Sequence, residues 1–335
     1  MIKLKRYPQN PILTADPKHQ WESGAVFNCG ATLGEDGLIY LLYRGIPATY
    51  TRRPEGGYDN YISSIGCATS EDGINFTRFE RPVIEPRDPF DRYGCEDPRV
   101  TRLTLDGKPL YLITYTALPT PAFHGSTWTV ALASTEDFRT YHKYGVIIPG
   151  VVVAKDKDAV IFPELINEQI VMLHRIEPNI QIIRFDSLEQ LTHPDEAFWR
   201  AHVASLDQFT LMKPMYEWET EKIGAGPPPI KTPEGWLLIY HGVSREHSGL
   251  IYRAGIALLD LEDPARVIAR LPHPVLEPEM EYEKVGDVPN VVFPEGALVK
   301  DGELYVYYGG ADKTCCLATA KLVDLLDYLK SPGVT

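Results

Sequence analysis

Long apolar runs, helical periodicity and paired cysteines are all scarce in this 335-residue chain. Each absence narrows what the protein can be. No apolar run approaches the ~20 residues that a membrane-spanning helix needs. The opening residues Met1-Ile2-Lys3-Leu4-Lys5-Arg6-Tyr7-Pro8 lack the apolar core of a signal peptide, so a cytoplasmic location is expected. The five cysteines (Cys29, Cys67, Cys95, Cys315 and Cys316) are odd in number and none shows CxxC spacing. That pattern points to reduced thiols and gives no metal site. Positive charge is also short: 33 Lys and Arg against 46 Asp and Glu leave a net charge of −13. Such a balance argues against a nucleic-acid surface, and an anionic ligand would need a local cluster of basic residues. The one amphipathic helical pattern runs from Leu322 to Lys330.

What fills the chain instead is short β-branched and aromatic runs punctuated by 28 prolines and 26 glycines, the pattern of an all-β protein. A two-strand unit recurs five times. It runs from Phe27 to Arg44, with the turn Glu35-Asp36-Gly37, and from Val100 to Ala117, with Asp97 at its mouth and the turn Leu105-Asp106-Gly107-Lys108. It returns from Asp158 to Arg175, from about Gly224 to His241, and from Val292 to Asp312. A third strand follows several units, as in Ile65 to Gly73, Val130 to Phe138, Ala254 to Asp260 and Leu317 to Val323. A fourth element recurs as Arg81 to Pro86, Tyr144 to Pro149 and His273 to Pro278. Asn10-Pro11-Ile12-Leu13 carries the same pattern, so the N-terminal segment is expected to complete a blade begun at the other end. Five repeats of roughly 60 to 70 residues with about four strands each describe a five-bladed β-propeller occupying residues 1–335 as a single domain with a short C-terminal helix.

In a propeller the first strands line a central channel, so equivalent positions far apart in sequence converge. The starts and ends of the hairpins supply Asn28, Arg44, Asp97, Lys157, Arg175, His241 and Asp312. Asp and Asn suit sugar hydroxyls, and one buried Asp can supply a proton to a leaving oxygen. Arg, Lys and His together suit an anion such as phosphate. Phosphate arrives already ionised and needs no general base. One acid beside a cationic cluster is therefore the pattern expected of inverting phosphorolysis.

The segments Asn28-Cys29-Gly30-Ala31, Tyr43-Arg44-Gly45, Glu96-Asp97-Pro98-Arg99, Lys157 to Glu164, Leu173-His174-Arg175, Phe293 to Ala297 and Tyr308 to Asp312 resemble glycoside hydrolase family 130 over nearly the whole chain. The resemblance implies a five-bladed propeller acting on β-mannosides, mostly by reversible phosphorolysis to α-mannose 1-phosphate, with inorganic phosphate as co-substrate and no cofactor. It makes Asp97 the proton donor, acting through the 3-hydroxyl of the bound mannose. Asn28, Arg44 and Asp312, with Asp97, would hold that mannose, and Lys157, Arg175, His241 and Tyr252 the phosphate. It also leaves room for a homo-oligomer. Cys29 stands where relatives carry a serine.

Glu164 and Glu295 share a Phe-Pro-Glu context, which suggests either a structural role at matching points of two blades or a catalytic base. Tyr50, Tyr58, Tyr61, Phe123 and Trp128 are candidate sugar platforms, and the loop from Tyr50 to Tyr58, with Arg52 and Arg53, is a candidate cover or subunit contact. Two alternatives stay open: a β-mannoside hydrolase on the same fold, and a sugar-binding propeller without catalysis.

Overall fold

The computed structural model describes residues 1–105, 107–123, 127–150, 152–153, 155–247 and 249–331. Asp106, in the turn of the second hairpin, lies outside the described residues. Among the described residues, five antiparallel sheets of four or five strands each form one blade of a propeller, and a sixth sheet is a two-stranded hairpin. Blade 1 comprises Ala25–Leu33, Ile39–Ile46, Ser64–Ser70 and Thr77–Arg78, and blade 2 comprises Cys95–Leu105, Lys108–Ala117, Thr129–Thr135 and His142–Val146. Blade 3 comprises Lys157–Ile161, Ile170–Arg175, Ile180–Phe185 and Thr210–Met212. Blade 4 is built on Lys222–Ala225, Gly235–Glu246, Gly249–Leu259 and Val267–Arg270, with Ile230–Thr232 added beside the second strand. Blade 5 takes three strands from the C-terminal part, Val292–Lys300, Glu303–Gly310 and Thr314–Lys321, and its fourth, Lys5–Arg6, from the N-terminus.

The expected ring closure is therefore present, but the closing strand lies earlier than Asn10 to Leu13. Lys5 pairs with Thr319 and Arg6 with Ala318. The Asn10 to Leu13 segment runs on along the same edge, Asn10 bracketing Leu317 through its side chain and Leu13 bridging Cys315. Tyr144 to Pro149 begins within the regular fourth strand His142–Val146, but the other two fourth elements differ in detail. Their proline-rich cores meet the third strand only through single bridges, Ile65 to Ile84 and Ala254 to Leu276, while Thr77–Arg78 and Val267–Arg270 supply the regular pairing. Proline cannot donate to a ladder, which is why these segments end rather than extend it. Helices missed in the sequence interrupt blade 3 between its third and fourth strands, at Leu188–Thr192 and Glu196–Ala204. Ser187 caps the first and Asp195 the second by accepting backbone N–H bonds. Each is too short for a periodic stripe to show. The expected C-terminal helix is Leu322–Leu329.

Apolar burial is concentrated between blades. One interface joins Val160, Leu173 and Ile182 of blade 3 to Leu238, Ala257 and Trp236 of blade 4. Another joins Leu237, Ile256 and Leu258 to Val292, Leu304 and Val306. Each fully buried aliphatic side chain contributes roughly 1.5–3 kcal/mol, so the ring is held by its blade-to-blade seams. The inner strands meet backbone to backbone at the channel. A Cβ on Gly30 would come within 2.4 Å of the Pro98 carbonyl oxygen.

A buried polar clasp repeats in every blade. An acid from the segment before the inner strand meets a side chain at one fixed place on the second strand and a partner from outside it. In blade 2, Asp91 accepts from Tyr115 at 3.1 Å and pairs with Lys143 at 2.6 Å. In blade 4, Glu219 accepts from Tyr240 and from Arg270, both at 2.6 Å. In blade 5, Glu283 accepts from Tyr308 and from Arg6, both at 2.8 Å. In blade 1, Glu22 accepts from Arg78 at 3.0 Å, and Arg78 lies over the Tyr43 ring. Blade 3 departs from this chemistry: Asp156 meets His174 at 2.6 Å, and His174 meets His202 of the inserted helix at 2.9 Å. All five acids are fully buried.

Candidate active site

A cavity of about 480 Å³ opens at one mouth of the channel. Its floor is made by a local device that the sequence repeats. In blades 1, 2, 3 and 5 the inner strand slips register against its neighbour, between Phe27 and Cys29, Glu96 and Arg99, Lys157 and Val160, and Pro294 and Gly296. These are β-bulges, which re-aim a side chain that a regular strand would bury in a seam. Asn28, Asp97 and Asp158 occupy the bulges with φ of 49°, 54° and 55°, the left-handed region that Asn and Asp tolerate best. Asp312 has φ of 52° just after the second strand of blade 5.

The bulges and the strand ends bring one polar cluster together. Asn28 Nδ2 donates to Asp97 Oδ1 at 2.8 Å, and Arg44 Nη1 donates to the same oxygen at 3.1 Å. Arg44 also pairs with Glu96, and Lys157 Nζ stands 3.4 Å from Glu96 and 3.6 Å from Asp97. Burial alone would raise the Asp97 carboxyl, but Arg44, Lys157, the Asn28 hydrogen bond and Arg99 outweigh it and hold it below the usual carboxylate range. Asp312 differs. Burial outweighs Arg44, and the nearby Asp97, Glu96 and Asp287 add to it, pushing the carboxyl up to about 7. Two of the carboxylates lining the cavity thus differ in kind: Asp97 is held low by its cations, whereas Asp312 titrates near neutrality.

The second half of the cavity is cationic at its rim. Lys157 and Arg175 are register partners across the first two strands of blade 3, so their side chains share one face. Arg175 is held by Asp158 at 2.9 Å and approaches Glu177 at 3.4 Å. Lys222 donates to Glu177 at 2.7 Å, and Trp128 lies under both Lys155 and Lys157. Tyr252 lines this half, beside Phe293. Of the eight site residues named from the sequence, Asn28, Arg44, Asp97, Lys157, Arg175, Tyr252 and Asp312 all line the cavity.

His241 does not line it. This residue is fully buried behind Arg175, with Nε2 at 3.3 Å from the Arg175 guanidinium and 3.6 Å from Asp158. Burial dominates, Asp158 opposes it, and Arg175 and Arg99 reinforce it. The imidazole is pushed down to about 3 and stays neutral. A Cβ on Gly224 would lie 2.3 Å from Asp158 and 2.5 Å from His241, so glycine there is what allows the two to meet.

Several members were missed in the sequence. Asp158 follows Lys157 directly and matches Asp97 in bulge and φ, a repeat signal that blade alignment could have found. Glu96 and Arg99 were noted only as part of the Glu96-Asp97-Pro98-Arg99 segment, without a role, and Glu177 and Lys222 were unmarked. Arg99 is 1% exposed and knits the ring. It donates to the Asp97 and Gly226 carbonyls at 3.1 Å each and to Asp158 at 3.0 Å. Glu164 and Glu295, expected at matching points, are not equivalent. Glu164 is exposed and paired with Lys231. Glu295 is fully buried 3.3 Å from Arg99, and neither of its oxygens has a hydrogen-bond partner among the described residues. Burial raises its carboxyl well above the ordinary value. Asp158, closer to Arg99 and hydrogen-bonded to it, takes the charge instead.

Of the aromatic candidates, Tyr61, Phe123 and Trp128 line the cavity. Tyr50 and Tyr58 stand behind, donating to Asp287 at 2.7 Å (carboxylate) and 3.0 Å (carbonyl). The loop carrying Arg52 and Arg53 forms a small hairpin, and Arg53 donates to the Phe123 carbonyl at 2.9 Å.

The chain is 40% identical to a 1,2-beta-oligomannan phosphorylase of Thermoanaerobacter sp. (strain X514), over 97% of this chain and 99% of that protein. It is 39% identical to a beta-1,2-mannobiose phosphorylase of the same strain, over 93% and 95% of the two chains. Among solved structures, a beta-1,2-mannobiose phosphorylase from Listeria innocua in complex with beta-1,2-mannobiose superposes with a TM-score of 0.75 at 28% identity, covering 98% of this chain and 99% of that one. The family model described as beta-1,4-mannooligosaccharide phosphorylase matches residues 3–331, and the chain belongs to that family, glycoside hydrolase family 130.

Proposed function

We propose that the protein catalyses inverting phosphorolysis of β-mannosides, releasing α-mannose 1-phosphate and the shortened sugar. The observation that carries this reading is the contact between its two halves: Lys157, at the edge of the cationic rim, stands 3.6 Å from Asp97. Asn28, Arg44 and Asp312 hold the mannose, and Lys157, Arg175 and Tyr252 face the phosphate, with His241 backing Arg175. Phosphate oxygen forms its bond to C1 from the face opposite the breaking glycosidic bond. The departing oxygen takes its proton from Asp97 by way of the 3-hydroxyl of the mannose. No base is required, since phosphate is its own nucleophile. In the free protein Lys157 helps keep Asp97 ionised. Phosphate bound at Lys157 offsets that charge and raises the proton affinity of Asp97, which readies the acid once the nucleophile is in place.

Within this reading we favour β-1,2-linked substrates, supported by the two relatives named for that linkage over nearly their full lengths. No metal or organic cofactor takes part, and the ring acts as one catalytic unit. The cysteines, all buried and unpaired, support a reducing, cytoplasmic setting. No helix among the described residues is long and apolar enough to cross a membrane. The test is product analysis on β-1,2- and β-1,4-mannobiose with and without inorganic phosphate. Mannose 1-phosphate formed only with phosphate, and faster from the β-1,2 dimer, is the expected result. Free mannose at equal rates in both conditions would make the enzyme a hydrolase.

A further inference from the structure

Four of the five blade clasps are built alike, from an acid, a tyrosine on the second strand and an arginine or lysine. Tyr43, Tyr115, Tyr240 and Tyr308 hold the strand place, and Arg78, Lys143, Arg270 and Arg6 supply the cation. In blade 3 both are histidines. His174 occupies the tyrosine place, and the outer partner, His202, comes from helix Glu196–Ala204 rather than from the fourth strand, Thr210–Met212. The departure falls in the blade that carries Lys157 and Arg175. Asp156 immediately precedes Lys157, and His174 immediately precedes Arg175. The Asp156 carboxylate also accepts the Arg175 backbone N–H at 3.1 Å, so one buried group holds His174 and the main chain of Arg175 together. Neighbouring residues of a strand point to opposite faces, so His174 turns inward while Arg175 faces the cavity.

Asp156 takes the Nδ1–H of His174, and the other ring nitrogen of His174 shares one hydrogen bond with His202 Nε2 across 2.9 Å. Trp199 and Phe209 pack against the His202 ring with centroids 5.6 and 4.6 Å away, which fixes its plane. Asp156 and His174 are fully buried and His202 is 4% exposed, so water does not substitute freely for any member.

We propose that Asp156, His174 and His202 form a positioning relay that sets the placement of Arg175, and through it the affinity for inorganic phosphate. None of the three touches substrate. The mannose-side residues Asn28, Arg44, Asp97 and Asp312 belong to blades 1, 2 and 5, and blade 3's relay does not hold them. The relay rests on the phosphorylase reading, and its signature is a split between the two substrates.

The experiment is steady-state kinetics of the full-length enzyme, varying phosphate and β-1,2-mannobiose separately. His202→Phe keeps the ring shape and removes the hydrogen bond. Its phosphate KM should rise about tenfold, with the mannobiose KM and the kcat at saturating phosphate within twofold of the parent. His202→Gln restores a hydrogen-bonding group near the same place and should bring the phosphate KM back to within threefold. A phosphate KM unchanged in His202→Phe, or both KM values raised together, would overturn the relay. If His202→Phe does not fold, His202→Asn, polar but too short to reach His174, is read in its place by the same criteria. A parent enzyme that forms no mannose 1-phosphate would instead defeat the phosphorylase reading, and the relay with it.

Discussion

Replacing Asp97 by asparagine separates the roles of this residue. The amide keeps an oxygen that can still accept from Asn28 at 2.8 Å and from Arg44 at 3.1 Å, so the bulge and its hydrogen bonds persist. What is lost is a negative charge and an acidic proton. Glu96 still faces Arg44 and Lys157, so neither cation is left uncompensated. The net loss of stability should be about 1–2 kcal/mol, below the 3–5 kcal/mol typical of a buried pair broken outright. For a chain of this length the unfolding entropy is about 0.7 kcal/mol per kelvin, so the melting temperature should fall by about 3 °C or less. A positioned general acid contributes roughly 10²–10⁴ in rate, and kcat should drop by at least about 10³. Phosphate should bind more tightly, because the anion no longer faces a carboxylate across Lys157. A charge about 6 Å away at an effective dielectric near 20 repels by up to roughly 3 kcal/mol, so a threefold to tenfold gain, about 1 kcal/mol, is well within reach. Mannose 1-phosphate release measures the first effect and calorimetric titration with inorganic phosphate the second. Turnover above about one per cent of the parent, or phosphate binding weakened tenfold, would refute the assignment.

Glu295→Gln tests the buried acid below the site: turnover should stay within twofold, whereas an ionised catalytic base would not survive the change. Because burial raises the folded-state pKa of Glu295, the folded protein holds a proton that the unfolded chain releases above its ordinary value of 4.5. Stability from this group therefore declines as pH rises, and Glu295→Gln should gain melting temperature relative to the parent between pH 5 and 8; a constant difference across that range would contradict it. Asp312→Asn should abolish an inflection near pH 7 in mannoside affinity, read by calorimetry without phosphate so that phosphate ionisation does not intrude. An inflection that persists in the variant would assign it to another group. Arg6→Met leaves the fully buried Glu283 without its guanidinium, a loss of about 3–5 kcal/mol. The melting temperature should then fall by about 4–7 °C, with kcat at lower temperature unchanged, and a drop under about 1 °C would show the clasp to be dispensable.

The hairpins were legible because strand alternation and turn residues repeat at each blade, and the cavity followed wherever a polar residue ended such a strand. The bulges were not legible. Asn28 and Asp97 were named from their place at the hairpin starts, but the register slip that turns such residues into the channel leaves no sequence mark, so Asp158 stayed hidden beside Lys157. The clasps escaped notice because their acids sit before the strands at unequal separations, 24 residues from Asp91 to Tyr115 but 18 from Asp156 to His174. The role of Arg99 was invisible because its partners lie 59, 126 and 127 residues away. The blade 3 helices are held by capping and packing, and neither is long enough to leave a periodic trace.

The origin of the fourth strand of blade 5 also constrains how the chain comes together in time. Arg6 must find Glu283, 277 residues later, before that blade is complete. During synthesis the first four blades can form in order as they emerge, but the segment around Arg6 has no edge to join until Thr314–Lys321 has been made. Until then the apolar faces that blades 1 and 5 bury against each other, around Leu41, Tyr43, Tyr307 and Leu317, stay open to other chains. Sealing the ring is thus a late, non-local event that loop-closure entropy slows, and the interval before it is when this protein is most exposed to aggregation.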